Sequence, residues 1–175
     1  MADDKTVLCE KLLGTLTDFS GKTVDYVTVE WHEISKRVHR KTSQGGVDIA
    51  IRLGDEALVR PLAQDDVLAT DDDRVFAVDI PPCEVLVIRI DPNHRGMAEK
   101  VCWEIGNKHV PLFRGETDGE FITPYDMPVE TLLKKLHGVT VERGQRKLNF
   151  SRAISAAVGH THNYDHEQYY HCHEQ

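Results

Sequence analysis

Over the first eighty residues, hydrophobic and polar positions alternate with a period near two. Val24, Tyr26, Thr28 and Glu30 interleave with Asp25, Val27, Val29 and Trp31, and the second set carries more apolar bulk. Val47, Ile49, Ile51 and Leu53 alternate with Asp48, Ala50 and Arg52, the pattern of a strand half buried against a core. Between these stretches, Ser43-Gln44-Gly45-Gly46 predicts a hairpin with a loop longer than the tight two-residue kind. Further short strands are expected at Ala57 to Val59, Val67 to Ala69 and Val75 to Ile80, parted by Pro61, Gln64-Asp65-Asp66 and Asp71-Asp72-Asp73. No segment here has both helical length and helical period. Residues 1–80 therefore predict a small, mostly antiparallel, all-β domain. Pro81-Pro82 removes two backbone donors and restricts the residue before it, which marks a domain boundary.

Beyond the prolines the pattern changes. Cys83 to Ile90 is a compact β-branched run closed by Asp91-Pro92-Asn93, as expected of a buried strand. From His94 to Ile105, Met97, Val101 and Ile105 recur every four residues, and Ala98 and Cys102 widen the stripe into a helical face. Gly106 and Asn107 are residue types that tolerate the left-handed backbone of a helix end. A strand is expected from His109 to Arg114, a turn from Gly115 to Gly119 and a short return strand from Glu120 to Thr123. Met127-Pro128 opens a second helix with Val129, Leu132, Leu133 and Leu136 on its apolar side. Gly138 ends that helix, and Val139 to Arg143 forms the last strand. The expected fold class is α+β. The order strand, helix, strand, strand, helix, strand over residues 83–150 predicts a ferredoxin-like βαββαβ domain, with two helices on one face of an antiparallel sheet. Residues 151–175 have few aliphatic side chains to bury and predict a flexible tail.

Charge and composition narrow the chemistry. With 21 basic against 29 acidic residues in 175, the net charge of −8 argues against nucleic-acid binding. No apolar run approaches the length that spans a bilayer, and the start shows no secretory signal pattern. Four cysteines without a Cys-x-x-Cys pair suit free thiols in a reducing compartment, so a cytoplasmic location is expected. Ser20-Gly21-Lys22-Thr23 has the end of a phosphate-binding loop, but the earlier glycine of that motif is replaced by Leu16 and no helix follows. His32-Glu33 lacks the second zincin histidine, because Lys36 stands in its place. No catalytic signature remains, and the chain is not expected to be an enzyme.

The distinctive feature is histidine. Ten are present, and five of them fall between His160 and His173. His160, His162, His166, His171 and His173, with Cys172, form a set of metal-ligand types interleaved with Asp165 and Glu167. Imidazole suits nickel, copper and zinc near neutral pH, and one-residue spacings let two rings reach one ion. The remaining histidines have plainer expected roles. His32 and His39 are placed on solvent faces, His94 near a helix start as a possible cap, and His137 at a helix C-terminus. Cys9, Cys83 and Cys102 lie in apolar patterns and are expected to pack in cores.

Taken together, these parts resemble the urease accessory protein UreE family, nickel metallochaperones of urease maturation. The most specific segments are Ile105-Gly106-Asn107-Lys108-His109-Val110-Pro111-Leu112 and Val29-Glu30-Trp31 through Lys36-Arg37, supported by Asp48-Ile49-Ala50-Ile51 and Gly159-His160-Thr161-His162. The resemblance implies that two copies of His109 share one Ni(II) across the two-fold axis of a homodimer, with Cu(II) or Zn(II) able to compete. It implies that His160 and His162 complete the coordination, with His166, His171, Cys172 and His173 as further ligands. Metal-bound dimers could pair into a dimer of dimers. Delivery would pass through the accessory GTPase UreG to the urease apoprotein complex, and the β-domain would handle protein contacts. Some members also carry histidines between the third strand and second helix of the second domain. Here Thr123 to Met127 stand there, and that site is not carried over. The rival readings are a metal-sensing regulatory or adaptor module and a metal-dependent hydrolase.

Overall fold

The computed structural model describes residues 6–155. Two sheets form the N-terminal part. The first contains β1 (Val7–Cys9), β4 (Val38–Thr42) and β5 (Asp48–Arg52) in the order β1-β5-β4. The second contains β2 (Gly14–Thr15), β3 (Thr23–Thr28), β6 (Asp66–Thr70) and β7 (Arg74–Asp79) in the order β2-β6-β7-β3. The β1/β5 and β3/β7 pairs are parallel and the other pairs antiparallel. Val27, Val29, Ile49, Ile51, Leu68 and Phe76 lie together in the core between them.

Two expectations fail in this part. Ala57 to Val59 does not form a strand but belongs to a one-turn helix, α1 (Glu56–Val59). Only Ala57 is buried, while Leu58 and Val59 are 53% and 89% exposed, so the run faces no core in alternation. His39 is not on a solvent face but only 7% exposed. In β4 it lies opposite the buried Ile51, and cross-strand partners point to the same side of a sheet. Its Nε2 is 2.8 Å from the Lys36 carbonyl oxygen, and burial lowers its pKa from the ordinary imidazole value. The turn expected at Ser20 to Thr23 is present, and Lys22 is pinned through its ammonium to Thr70 Oγ1 at 2.8 Å rather than left to cradle a phosphate.

The C-terminal part contains β8 (Cys83–Ile90), α2 (Met97–Gly106), β9 (Leu112–Arg114), β10 (Glu120–Pro124), α3 (Met127–Leu133), β11 (Val139–Arg146) and β12 (Ala153–Ser155). They make one antiparallel sheet in the order β11-β8-β10-β9-β12. Val101 and Ile105 of α2 join Val129 and Leu133 of α3, with Leu86, Ile88 and Phe121, in one cluster. Val85 and Val87 point the other way and meet Phe113 and Leu148, with Trp31 and Phe150 packed against them. Strand β8 is thus buried on both faces, which explains its unbroken apolar run. Trp31 and Phe150 also pack on the N-terminal core, so aromatic contacts join the two parts.

Capping and charge fix α3. Asp126 Oδ1 accepts a hydrogen bond from the Val129 amide at 2.8 Å, and Pro128 occupies an early position that suits it. The Glu130 carboxylate accepts hydrogen bonds from Arg143 Nε at 3.0 Å and Nη2 at 2.6 Å, and from Lys134 Nζ at 2.8 Å. The helix stops at Leu133, not Gly138; Gly138, at φ 76, instead turns the chain into β11. Strand β9 starts at Leu112 rather than His109, and β12 adds an edge strand beyond the expected four. The result is a two-domain α+β architecture with mixed sheets and few helices. Among the described residues no helix is long and apolar enough to cross a membrane.

Candidate metal centre

The end of α2 sets the position of His109. Val101 and Ile105, both 0% exposed, hold the helix against the sheet. Past the last helical residue the amides keep bonding backwards: Asn107 to the Trp103 carbonyl at 3.0 Å, Lys108 to Ile105 at 3.0 Å and His109 to Gly106 at 2.9 Å. Asn107 remains in right-handed helical geometry at φ −62. The left-handed step expected of Gly106 and Asn107 is taken instead by His109, at φ 54. Histidine is among the residue types more tolerant of this region, but the conformation still costs roughly 1–2 kcal/mol for an L-residue.

The chain is anchored directly after His109. Pro111 is buried, and its carbonyl accepts a hydrogen bond from Thr123 Oγ1 at 2.8 Å. Leu112 is 2% exposed and enters the sheet. His109 itself is exposed, held between a packed helix end and a buried strand start. Such a residue has its backbone held in place while its imidazole stays open to solvent. Among the described residues, no three His, Cys, Asp or Glu side chains are placed to hold a metal ion together. An ion at His109 therefore needs ligands from another segment or another chain.

The other expected ligands, His160, His162, His166, His171, Cys172 and His173, lie outside the described residues. The point from which they depart is defined. Strand β12 runs antiparallel to β9, with Ala153 opposite Phe113 and Ser155 opposite Leu112. The last described residues therefore lie at the end of β9 where the His109 segment enters the sheet.

The remaining candidates separate clearly. His32 is exposed, as expected. Burial raises the pKa of the thiols of Cys9, Cys83 and Cys102, that of Cys9 to about 11, which keeps them protonated and poor as metal ligands. A cavity of about 670 Å³ is lined by Ile34, Leu62, Ile80, Leu148 and Phe150, and no imidazole, thiol or carboxylate lines it. His94 does not cap α2, whose N-cap is Gly96 and carries no side-chain bond. His137 lies in the turn beyond α3 rather than in its last turn, and its Nδ1 is 2.8 Å from His94 Nε2. The two histidines are 43 residues apart, so neither one's own element announces the pair. The usable signal was topological: β8 and β11 pair antiparallel, so the loop after one meets the loop before the other.

Models of the UreE urease accessory protein match this chain in two pieces, the N-terminal domain over residues 9–80 and the C-terminal domain over residues 84–175. The chain belongs to the UreE family. Similar proteins include urease accessory protein UreE of Helicobacter pylori strain G27, 36% identical over 159 residues, which cover 89% of this chain and 90% of that protein. The UreE of Helicobacter acinonychis is 36% identical over 158 residues, 88% of this chain and 89% of that one. The UreE of Flavobacterium johnsoniae is 34% identical over 125 residues, 70% of this chain and 72% of that one. The C-terminal UreE match takes in both His109 and the tail histidines.

Proposed function

We propose that this UreE-family protein takes part in urease maturation as a nickel metallochaperone. In this reading two copies of His109 share one Ni(II) across the two-fold axis of a cytoplasmic homodimer. His160 and His162 complete the coordination, and His166, His171, Cys172 and His173 supply further ligands. The ion then passes, through the accessory GTPase UreG, to the urease apoprotein complex. Residues 83–150 would form a ferredoxin-like unit for metal binding and dimerisation, a reading supported by the strand order β11-β8-β10-β9. Residues 1–80 would serve partner contact, and residues 151–175 would carry the exchangeable ligands. Cu(II) and Zn(II) compete for the same imidazoles, because affinity alone does not select nickel.

The observation that carries this reading is the pairing of β12 with β9, which sets Ser155 close to the His109 segment. Ser155 pairs with Leu112, three residues past His109, and His160 follows five residues later. Five residues of extended chain span at most about 17 Å. Tail imidazoles can therefore reach an ion on the rigid anchor and leave it one at a time, as transfer requires. Trp103 and Met127, 63% and 64% exposed, offer apolar surface for a second copy.

Nickel titration by calorimetry tests the reading with the whole chain, His109→Ala and a chain ending at Gly159. The whole chain is expected to bind one tight nickel per dimer, and His109→Ala to lose it. The shortened chain is expected to keep the shared site with weaker affinity. Unchanged binding in His109→Ala overturns the shared centre, and unchanged affinity in the shortened chain overturns the role of the tail.

A further inference from the structure

We propose that His94 and His137 form a second metal site, a two-imidazole chelate for a borderline divalent ion such as zinc, nickel or copper. It stands apart from the His109 centre. His94 precedes α2 and His109 follows it, and a ten-residue helix is about 15 Å long.

The two rings already converge. His94 Nε2 and His137 Nδ1 are 2.8 Å apart, and the ring centroids are 4.9 Å apart at 45°. Nitrogens bound to one ion at about 2.0–2.1 Å, at angles between a right angle and tetrahedral, are separated by about 2.9–3.3 Å. A small outward rotation of the rings opens the pair to that spacing, and water completes the coordination.

The loops that carry the rings are tied together. The Asp91 amide donates to the Gly138 carbonyl at 2.9 Å, joining the turn after β8 to the turn before β11. Gly138 is shaped to the His94 ring: a Cβ there would lie 2.3–2.6 Å from its ring atoms. The absence of a side chain at Gly138 is what leaves room for the His94 ring beside His137.

The far side of His94 supplies the expected support for a ligand. Its Nδ1 is buried and lacks a hydrogen-bond partner, while Asp91 Oδ2 lies 3.4 Å away. A metal on Nε2 places the ring proton on Nδ1, facing that carboxylate. Metal-bound histidines commonly hold their second nitrogen this way, on a carboxylate that fixes ring and tautomer. The other Asp91 oxygen is engaged by the Asn93 amide and side chain at 2.9 and 3.0 Å, so the carboxylate is itself oriented. On His137 the ion requires the tautomer with its proton on Nε2.

Zinc chloride titration followed by imidazole nitrogen resonances of the full chain tests the site. The His94 Nε2 and His137 Nδ1 signals should shift together in wild type and in His109→Ala. Either His94→Gln or His137→Gln should lose one zinc ion per chain, and the double variant should lose no more than either single one. Gly138→Ala keeps both imidazoles but displaces the His94 ring, and should weaken zinc binding at this pair at least tenfold while circular dichroism stays native. Signals that stay in place at saturating zinc, or undiminished stoichiometry in both Gln variants, overturn the site and leave a hydrogen-bonded pair.

Discussion

At the scale of single residues, His109 combines two properties that seldom coincide. It is exposed, and it holds a left-handed backbone that most side chains avoid. A glycine adopts that conformation without the steric cost. His109→Gly should therefore be more stable than His109→Ala, by roughly 1–2 kcal/mol in denaturant unfolding, although both lack the imidazole. Equal stability would mean that the turn relaxes and that φ at this position is not constrained. The sequence made His109 visible as a candidate, through its resemblance, but placed the left-handed step on Gly106 and Asn107. Propensity names the residue types able to make such a turn; the packing of Ile105 on one side and Leu112 on the other decides which residue takes it. His39 shows the same limit in another form. It is buried while its neighbour Val38 is 69% exposed, the reverse of their hydrophobicity, because pairing register decides which side faces in.

At the scale of elements, long apolar patterns were the most legible. The Cys83–Ile90 strand begins and ends where its β-branched run does, and the stripe of Met97, Val101 and Ile105 marks α2. Short elements were not legible, since α1 and β12 contain too few residues for a period to show. The junction of α3 with β11 depends on charge. Arg143, then Lys134, holds the Glu130 carboxyl at about 2, below its ordinary 4.5. A depressed carboxylate pKa stabilises the fold above the ordinary value, and that contribution disappears as the pH falls towards the folded one. Relative to Glu130→Gln, the wild type should be more stable at pH 7, and this difference should shrink between about pH 4.5 and pH 2. Urea unfolding at stepped pH measures it, and a difference independent of pH would remove the carboxylate from the account. Tyr125, whose ring lies 4.4 Å from the Arg143 guanidinium, buttresses the same ion pair.

At the scale of the whole molecule, the two halves differ in how they expose chemistry. The N-terminal sheets hold two buried aspartates in internal contacts, Asp25 with Ser43 and Gly45, and Asp66 with Arg60 and Ala63. The C-terminal sheet carries its histidines at loop ends, His109 at one end of α2 and the His94–His137 pair near the other. The pair was illegible because it forms only once β8 and β11 lie side by side, whereas the tail histidines were conspicuous because they are close in sequence. Strand β12 also bears on concentration, as distinct from geometry. A ligand on a short tether meets its site at an effective concentration on the order of millimolar, set by the linker alone. Adding a separate peptide of residues 160–175 to the chain ending at Gly159, both at micromolar levels, should leave nickel binding about 10²-fold weaker than in the intact chain. Full recovery would show that covalent attachment is irrelevant. Because β12 fixes the starting point of residues 156–175, recruitment of the proposed tail ligands by their own subunit would be a first-order process. Under that proposal, the supply of those ligands to the anchor would not change with the number of copies of the protein that a cell makes.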